Sequence, residues 1–402
     1  MASPLVQQAF TVNELASKYL GYPKFILFWD SKTQTFKSHT KWSMWYFTAG
    51  FIMFFLFFIS MLTAYIMNKL QKPSFKIILE HQAILTLYIF DWSFACALNL
   101  SIYWCVDGIA AYINLLLAYQ STYFDRRVNS KVNFKMRNEE FIKALKGQKC
   151  ETIGLLVLYV AESLSTTPIL SAVILYFAKL DPFFIAVLYG VPRSYLFVTE
   201  YSWFPLITCF IFLIFVMEIC RTARVLIIAI IAITQMTIHC LNDILRILDR
   251  SIVKSINSYQ LLSIAHIHHI VCANTFAVAM GFGYFIAVVA GAISLIGLEI
   301  LPIILYPLYL ITWLVASITM LVAIPYAATS YELSKSLIRE WKYRLSGYYG
   351  PNKKYYRAKV NSFREIGFMC GWIGKLCKKS KTIYLSSLLC DTSTALLMFK
   401  SV

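Results

Sequence analysis

Long stretches of apolar residues dominate the chain. A helix needs about 20 mostly apolar residues to cross the hydrocarbon core of a bilayer, and seven stretches are long enough. Lipid offers the backbone no hydrogen bonds, and none of the stretches alternates apolar and polar positions as a barrel strand does, so each is predicted to be a helix. The seven predicted spans lie at about 43–67, 83–118, 153–178, 202–238, 268–296, 300–328 and 383–399.

The second and fourth spans are longer than a crossing requires. Each would reach roughly 54 Å at about 1.5 Å per residue, whereas the hydrocarbon core is about 30 Å thick. Each stretch therefore either projects beyond the membrane as one helix or folds into two short spans. The charges on the connecting segments distinguish these alternatives.

Composition places the chain among integral membrane proteins. Hydrophobic residues make up 59% of the 402 residues and charged residues only 14%, with a mean hydropathy of +0.64. Such values lie outside the usual range for soluble globular proteins and leave no room for a large soluble domain. The longest apolar run before the first span, FILFW, is too short for the core of a signal peptide.

The basic residues separate into two very unequal groups. Five precede the first span, eight lie at 126–149, five at 221–254 and thirteen at 335–381, so that 31 of the 37 fall on one side. Splitting the fourth span alone would place the thirteen basic residues at 335–381 on the opposite side. Splitting both long spans would place the eight basic residues at 126–149 there instead. Cytoplasmic segments carry the excess of Lys and Arg. The distribution predicts seven helices with the N-terminus inside and the C-terminus outside, and it accounts for the net charge of +17 without a nucleic-acid partner.

The predicted inner ends of several spans continue as amphipathic helices. Apolar residues recur at helical spacing at 241, 244, 245, 248 and 252, and again at Tyr259, Leu261 and Leu262 and at Leu333, Leu337, Ile338 and Trp341. Such faces must be buried against one another, so we expect a compact cytoplasmic bundle, with a turn at 346–354. The predicted organisation is an N-terminal cytoplasmic segment at 1–42, six spans at 43–332, anchor helices and a basic loop at 333–382, and a seventh span at 383–402.

This arrangement resembles the arthropod gustatory and odorant receptor superfamily. Local motifs agree with the entry to the fifth span of that family and with the glycine-containing segment before its last span. The residues concerned are Tyr259, Leu261, Leu262, Asn274, Phe276 and Gly281 in the first motif and Gly367 and Gly371 in the second. The family ends in Thr-Tyr, five apolar residues and Gln-Phe, whereas this chain, aligned on Phe399, has Asp391, Thr392 and Met398 at the Thr, Tyr and Gln places.

The resemblance implies a ligand-gated cation channel of the plasma membrane. It implies a homo- or heterotetramer whose central pore is lined by the seventh helix, a small tastant or odorant-like ligand, and no cofactor. The divergence of the C-terminal motif favours a gustatory-type receptor over an olfactory one. No nucleophile–base pair indicates an enzyme. A seven-helix G-protein-coupled receptor, which needs the opposite orientation, and a membrane transporter are the alternatives.

An acid stands in the middle of the seventh span. Ser387, Asp391, Thr394 and Met398 follow one another at spacings of four, three and four and so share one stripe of the helix. A charge at the bilayer centre costs at least about 2.5 kcal/mol and usually faces water or a partner. If four copies surround an axis, Asp391 lines a cation pathway and Met398 or Leu397 narrows it. Alternatively, Asp391 is protonated or bonded to a neighbouring helix.

The resemblance places the ligand pocket among the outward halves of spans two, three, four and six. Aromatic walls with a few hydroxyls and an acid suit a small-molecule site, although each aromatic could instead anchor the chain at the lipid interface. The candidates are Tyr88, Asp91, Trp92, Ser165, Thr167, Tyr176, Tyr201, Trp203, Tyr306, Tyr309 and Trp313.

One histidine cluster precedes the fifth span. His266, His268 and His269 invite a metal interpretation, but membrane di-iron enzymes need several histidine boxes and the chain holds only six histidines. We therefore predict a polar cluster at the membrane boundary and no metal site.

Overall fold

The computed structural model of the protein describes six main segments. They are residues 27–30, 35–38, 79–124, 203–300, 306–370 and 374–400, together with the helical positions 52, 59, 66, 169, 172–174, 176–177 and 184–185. Predicted spans one and three therefore lie almost entirely outside the described residues. So does most of the predicted segment 1–42.

The described part of the chain is mostly helical, as expected of an all-α membrane protein. Its helices are α1 (Leu79–Phe124), α2 (Trp203–Leu248), α3 (Ile252–Ile300), α4 (Tyr306–Ser346), α5 (Lys353–Ser362) and α6 (Lys378–Lys400). Helix α3 lies at the centre and packs against α1, α2, α4 and α6.

The two overlong predicted spans are unbroken helices. Helices α1 and α2 each contain 46 residues, a length of about 69 Å at the usual rise of an α-helix. The prediction that each is one helix is therefore confirmed, and each exceeds a bilayer core of about 30 Å.

Helices α3 and α4 also extend beyond their predicted spans, with 49 and 41 residues. The predicted division between residues 332 and 333 falls inside α4. No glycine or proline interrupts α4 near that position, so nothing in the local sequence ends the helix there.

Within the described residues, three segments are long and apolar enough to cross a membrane: Cys96–Tyr119, Leu226–Leu248 and Thr275–Leu295. They belong to α1, α2 and α3. Helix α6 is not among these three segments.

In helix α2, the segment that is long and apolar enough to cross a membrane is not the segment with the most exposed apolar side chains. Most side chains of Leu226–Leu248 are buried inside the protein. The exposed apolar side chains of α2 lie nearer its start, where Trp203, Leu206 and Phe210 are 52%, 59% and 60% exposed. The segment at 203–214 is therefore the part of α2 that lipid would cover, because a surface this apolar is costly in water.

The all-α prediction missed two short antiparallel hairpins. Strands β1 (Leu27–Asp30) and β2 (Thr35–Ser38) form the first hairpin, in which Leu27 lies opposite Ser38 and Asp30 lies opposite Thr35. The Asn114 side chain fixes β2 to α1, since it donates to the Phe36 carbonyl and accepts from the Phe36 amide, both at 2.8 Å. Strands β3 (Met369–Cys370) and β4 (Gly374–Lys375) form the second hairpin, in which Gly374 adopts a positive φ of 85°.

The predicted burial of amphipathic helix extensions against one another is confirmed. One buried cluster, here called the basal bundle, joins the end of α2, the start of α3 and the end of α4. Among the residues named from the apolar pattern, Leu241, Ile244, Leu248, Tyr259, Leu262, Leu337, Ile338 and Trp341 are buried. Leu261, which lies between the buried Tyr259 and Leu262, is 40% exposed. Helix α1 adds a contribution that the pattern did not assign: Ile109, Tyr112, Ile113 and Leu116.

Candidate functional site

Helix α6 packs along one narrow stripe. Tyr384 and Leu388 are buried, and their spacing of four places them on the same side of the helix. Their buried neighbours on α3 and α4 are Ala287, Met320 and Ile324. Much of the remaining surface of α6 is uncovered by this chain: Leu389 and Leu397 are each 70% exposed.

The predicted pore residues lie beside this packed stripe. Ser387 is half-buried, and Asp391 and Thr394 are exposed. Leu397 stands nine residues after Leu388, about two and a half turns, and so faces away from the packed stripe. It lies about a quarter turn from the row formed by Ser387, Asp391 and Thr394. The side chain of Met398 is outside the described residues.

Asp391 has a partner on a neighbouring helix. The hydroxyl of Tyr284 on α3 donates a hydrogen bond to Asp391 Oδ2. The Tyr284 ring stands edge-on to Tyr384, with the ring centroids 5.6 Å apart. Since Asp391 remains exposed, this bond holds the carboxylate from one side and leaves it open toward the surroundings of the protomer. Tyr284 lies 107 positions away in sequence, and no local pattern singled it out.

Further hydroxyls on α6 were not assigned from the sequence. Ser386 and Ser393 are exposed, and they donate to the carbonyls of Ile383 and Leu389 at 3.0 and 2.8 Å. Thr394 donates in the same way to the Cys390 carbonyl at 2.9 Å. Because these hydroxyls are satisfied by their own helix, they cost little in a dry environment. Asp391 differs from them in carrying an ionisable group on the same uncovered surface.

Trp313, a predicted ligand residue, lies where three helices meet. A Cβ atom placed on Gly291 of α3 would lie 2.8 Å from Trp313 Nε1 and 3.6 Å from Thr392 Cγ2 of α6. Only glycine allows the indole of α4 to come so close to α3. Trp313 and Thr392, the residue that follows Asp391, therefore both lie beside Gly291.

The other predicted ligand residues are not joined to Trp313 by contacts among the described side chains. Trp203 is half exposed and stands edge-on to Phe204 at 6.4 Å, and Tyr176 pairs with Phe177 at 5.5 Å. Tyr306 is half-buried. The pocket stays a prediction, because several of its members lie outside the described residues or have side chains that do: Tyr88, Asp91, Trp92, Ser165, Thr167, Tyr201 and Tyr309.

A chain of hydrogen bonds fixes the segment before β3 to the basal bundle. Tyr259 donates to the Arg364 carbonyl at 2.9 Å, and its oxygen lies 2.6 Å from Ser334 Oγ. Ser334 Oγ accepts from the Ile366 amide at 2.7 Å, so its own proton is free to reach Tyr259. Helices α3 and α4 thereby hold residues 364–366 in place. Burial raises the pKa of Tyr259 to about 12, so the phenol stays protonated and the chain of bonds persists across ordinary pH.

His266 is a second buried connection. Its Nδ1 lies 2.9 Å from the Tyr112 hydroxyl, and its Nε2 lies 3.1 Å from the Gly367 carbonyl. A carbonyl can only accept, so Nε2 carries the proton and Nδ1 accepts from Tyr112. Both ring nitrogens are thus used in hydrogen bonds, which agrees with the predicted polar cluster. The side chains of His268 and His269 are outside the described residues.

We expect stability to fall as His266 is forced to take up a proton. Burial lowers its pKa from 6.5 to about 4, so between these values the unfolded chain binds more protons than the folded one. Stability therefore decreases as pH falls through this window, by about 2 kcal/mol between pH 7 and pH 5. The thermal unfolding midpoint of detergent-purified protein at the two pH values measures the effect. The His266→Gln variant should show a smaller pH dependence, and equal dependence in both proteins would contradict the assignment.

Comparison with models of known families and with the curated proteins yields no relative. No model of a known protein family matches the chain, and a search of the curated proteins finds no match. Function is therefore inferred from the residues of this chain and from the resemblance of its sequence pattern.

Proposed function

We propose that the protein is a gustatory-type chemosensory receptor, itself a ligand-gated cation channel of the plasma membrane. Four copies surround a central pore lined by α6. The observation that carries the proposal is the exposed carboxylate of Asp391 in the middle of the last apolar helix. Ionisable residues inside membrane spans are costly, and they mark ion pathways or paired sites.

Asp391 makes the uncovered surface of α6 poorly suited to lipid. Leu389 and Leu397 suit lipid, and the exposed hydroxyls of Ser386, Ser393 and Thr394 are satisfied by their own helix, but Asp391 exposes an ionisable carboxylate. Tyr284 satisfies one side of the carboxylate and does not enclose it. A surface of this composition needs either water or another protein against it, and a water-filled axis between copies supplies both.

Charge determines which ions such an axis favours. In a symmetric assembly every copy contributes one Asp391, so the carboxylates form a ring that attracts cations and repels anions. The hydroxyls of Ser387 and Thr394 lie one turn to either side of that ring. The apolar side chains Leu397 and Met398, near the C-terminal end of the helix, are the proposed constriction, since a ring of apolar groups can close a pore by dewetting.

Trp313 supports a route from ligand to pore. It belongs to the predicted ligand set, and it lies against Gly291 of α3 beside Thr392 of α6. A ligand that displaces this indole would change the packing of α4 on α3 at Gly291, the glycine that Thr392 of α6 also adjoins. Coupling of this kind needs an element with two arrangements, and α6 is the proposed moving element because one narrow stripe holds it to the protomer.

Purified full-length protein in a planar bilayer tests the proposal. We expect cation currents that change when small aromatic or sugar-like compounds are applied, without any other protein present. An amino-terminal tag should be reached by antibody only after cells are permeabilised. Absence of current, combined with signals that require a G protein, would overturn the proposal in favour of the receptor alternative.

A further inference from the structure

Five lysines lie at or near the start of α6, two of them over one tyrosine ring. Lys335 of α4 and Lys375 of β4 place their ammonium groups 5.6 and 5.8 Å from the centroid of the same ring, that of Tyr331. Lys375 lies three residues before α6, whose first turn adds exposed cations. Together Lys335, Lys375, Lys378, Lys379 and Lys381 are here called the lysine collar.

The protein holds the centre of this collar in a fixed position. A Cβ atom on Gly367 would lie 3.0 Å from the Tyr331 side chain, so the segment before β3 packs tightly on that ring. Lys375 also donates to the Glu365 carbonyl at 2.9 Å and lies 3.6 Å from the Glu365 carboxylate. The collar is thus built on the same segment that Tyr259 and His266 fix to the basal bundle.

The collar carries more positive charge than its surroundings neutralise. Glu365 is paired with Lys375, and a hydrogen bond from its own backbone amide, followed by Lys375 and Lys335, lowers the pKa of its carboxyl. Glu332 is the other nearby acid, close enough to Cys377 to act on its thiol. Lys378, Lys379 and Lys381 make no ion pair with any acid in the described part of the chain. Five lysines against two glutamates leave an uncompensated anion-binding surface.

The collar also lies where apolar exposure ends on two neighbouring helices. On α6 the lysines immediately precede Ile383, which is 63% exposed. On α4 the exposed aliphatic side chains end with Ile318, and the next exposed positions are Thr329 and then Lys335. This change marks the boundary between hydrocarbon and headgroups, where tyrosine rings such as that of Tyr331 are also enriched.

We propose that the lysine collar binds the phosphate-bearing headgroups of anionic phospholipids at the inner membrane surface. Clusters of lysines directly beside a membrane helix attract such lipids. A lipid held there would contact the first turn of α6 and the ring that links α4 to β4, so it would fix the base of the last helix. This inference rests on the placement of the collar at the membrane and does not depend on the protein being a channel.

The test uses full-length protein in detergent and native mass spectrometry. Equal amounts of phosphatidylcholine, phosphatidylserine and phosphatidylinositol bisphosphate are added, and the lipids retained on the protein are counted. We expect the anionic lipids to be retained and the zwitterionic lipid to be lost. In the Lys378→Gln, Lys379→Gln, Lys381→Gln variant the affinity for anionic lipid should fall about fivefold for each lysine.

The matched control removes the same charge elsewhere. Lys342, Lys354 and Arg357 are exposed and make no ion pair with a described acid, and their replacement by Gln should leave lipid retention unchanged. Replacing the three α6 lysines by Arg keeps the charge and should keep the binding, which separates charge from folding. Equal losses in the two Gln variants, or no loss in either, would overturn the proposal. So would equal affinity for soluble inositol phosphate, because the site would then bind a free anion.

Discussion

Replacing Asp391 by Asn is expected to remove the preference for cations over anions in a conducting channel. Asn keeps an oxygen that accepts from Tyr284 but takes the charge out of the proposed ring. The ratio of cation to anion permeability should fall about tenfold, equal to about 1.4 kcal/mol in the energy of the ion. Reversal potentials measured under a salt gradient give this ratio.

The Tyr284→Phe variant is the crossed control for that experiment. It removes the hydrogen bond from Asp391 and keeps the carboxylate charge. If Asp391 lines the pore, Tyr284→Phe retains cation preference while Asp391→Asn loses it. If the carboxylate only ties α6 to α3, Tyr284→Phe should lower stability more than Asp391→Asn does. The ratio of cation to anion permeability should then be the same in the unchanged protein and in both variants. That second outcome would remove Asp391 from the pathway.

Replacing Trp341 by Ala is expected to destabilise the basal bundle by about 3–5 kcal/mol. Trp341 is fully buried, its ring stands edge-on to Tyr259 with the centroids 5.0 Å apart, and its Nε1 donates to Ser255 Oγ at 3.1 Å. Ser255 donates in turn to the Ile244 carbonyl at 3.2 Å. The substitution would therefore leave a cavity and an unpaired hydroxyl acceptor between α2, α3 and α4.

The midpoint of thermal unfolding in detergent measures the loss at Trp341. Tyr343, two residues further along α4, is 74% exposed and provides the matched control. Tyr343→Ala should change stability by no more than about 0.5 kcal/mol, as is usual for exposed positions. Similar midpoints for the two variants would contradict the assigned role of Trp341.

The parts of the fold that follow from local periodicity could be predicted from the sequence. Leu241, Ile244 and Leu248 recur at helical spacing, and so they were placed on one face before any contact was known. The unbroken lengths of α1 and α2 followed from charge, because breaking them would move basic segments across the membrane. Apolar spacing and the positions of basic residues can both be read from the sequence without knowledge of any contact.

The hairpins were missed because their stabilising contacts are distant in sequence. Strand β2 is fixed to α1 by Asn114, 78 positions from Phe36. Four-residue strands in an apolar context resemble short pieces of helix or loop. The β-branched and aromatic residues on either side of the polar run DSKT were the available signal.

Part of the candidate site could likewise be predicted from the sequence, and part could not. Ser387, Asp391 and Thr394 share a stripe for reasons of helix geometry alone. The bond of Tyr284 to Asp391 and the contact of Trp313 with Gly291 depend on how α3, α4 and α6 cross, and no single segment records that arrangement. Trp203 and Tyr176 were grouped with Trp313 by residue type, and their described contacts are local aromatic pairs.

A particle image of the purified assembly shows how many copies surround an axis and which helix lies nearest to it. We expect four copies with α6 innermost and Asp391 facing the axis. A single copy, or an assembly in which α6 lies on the outer, lipid-facing surface, would contradict this expectation.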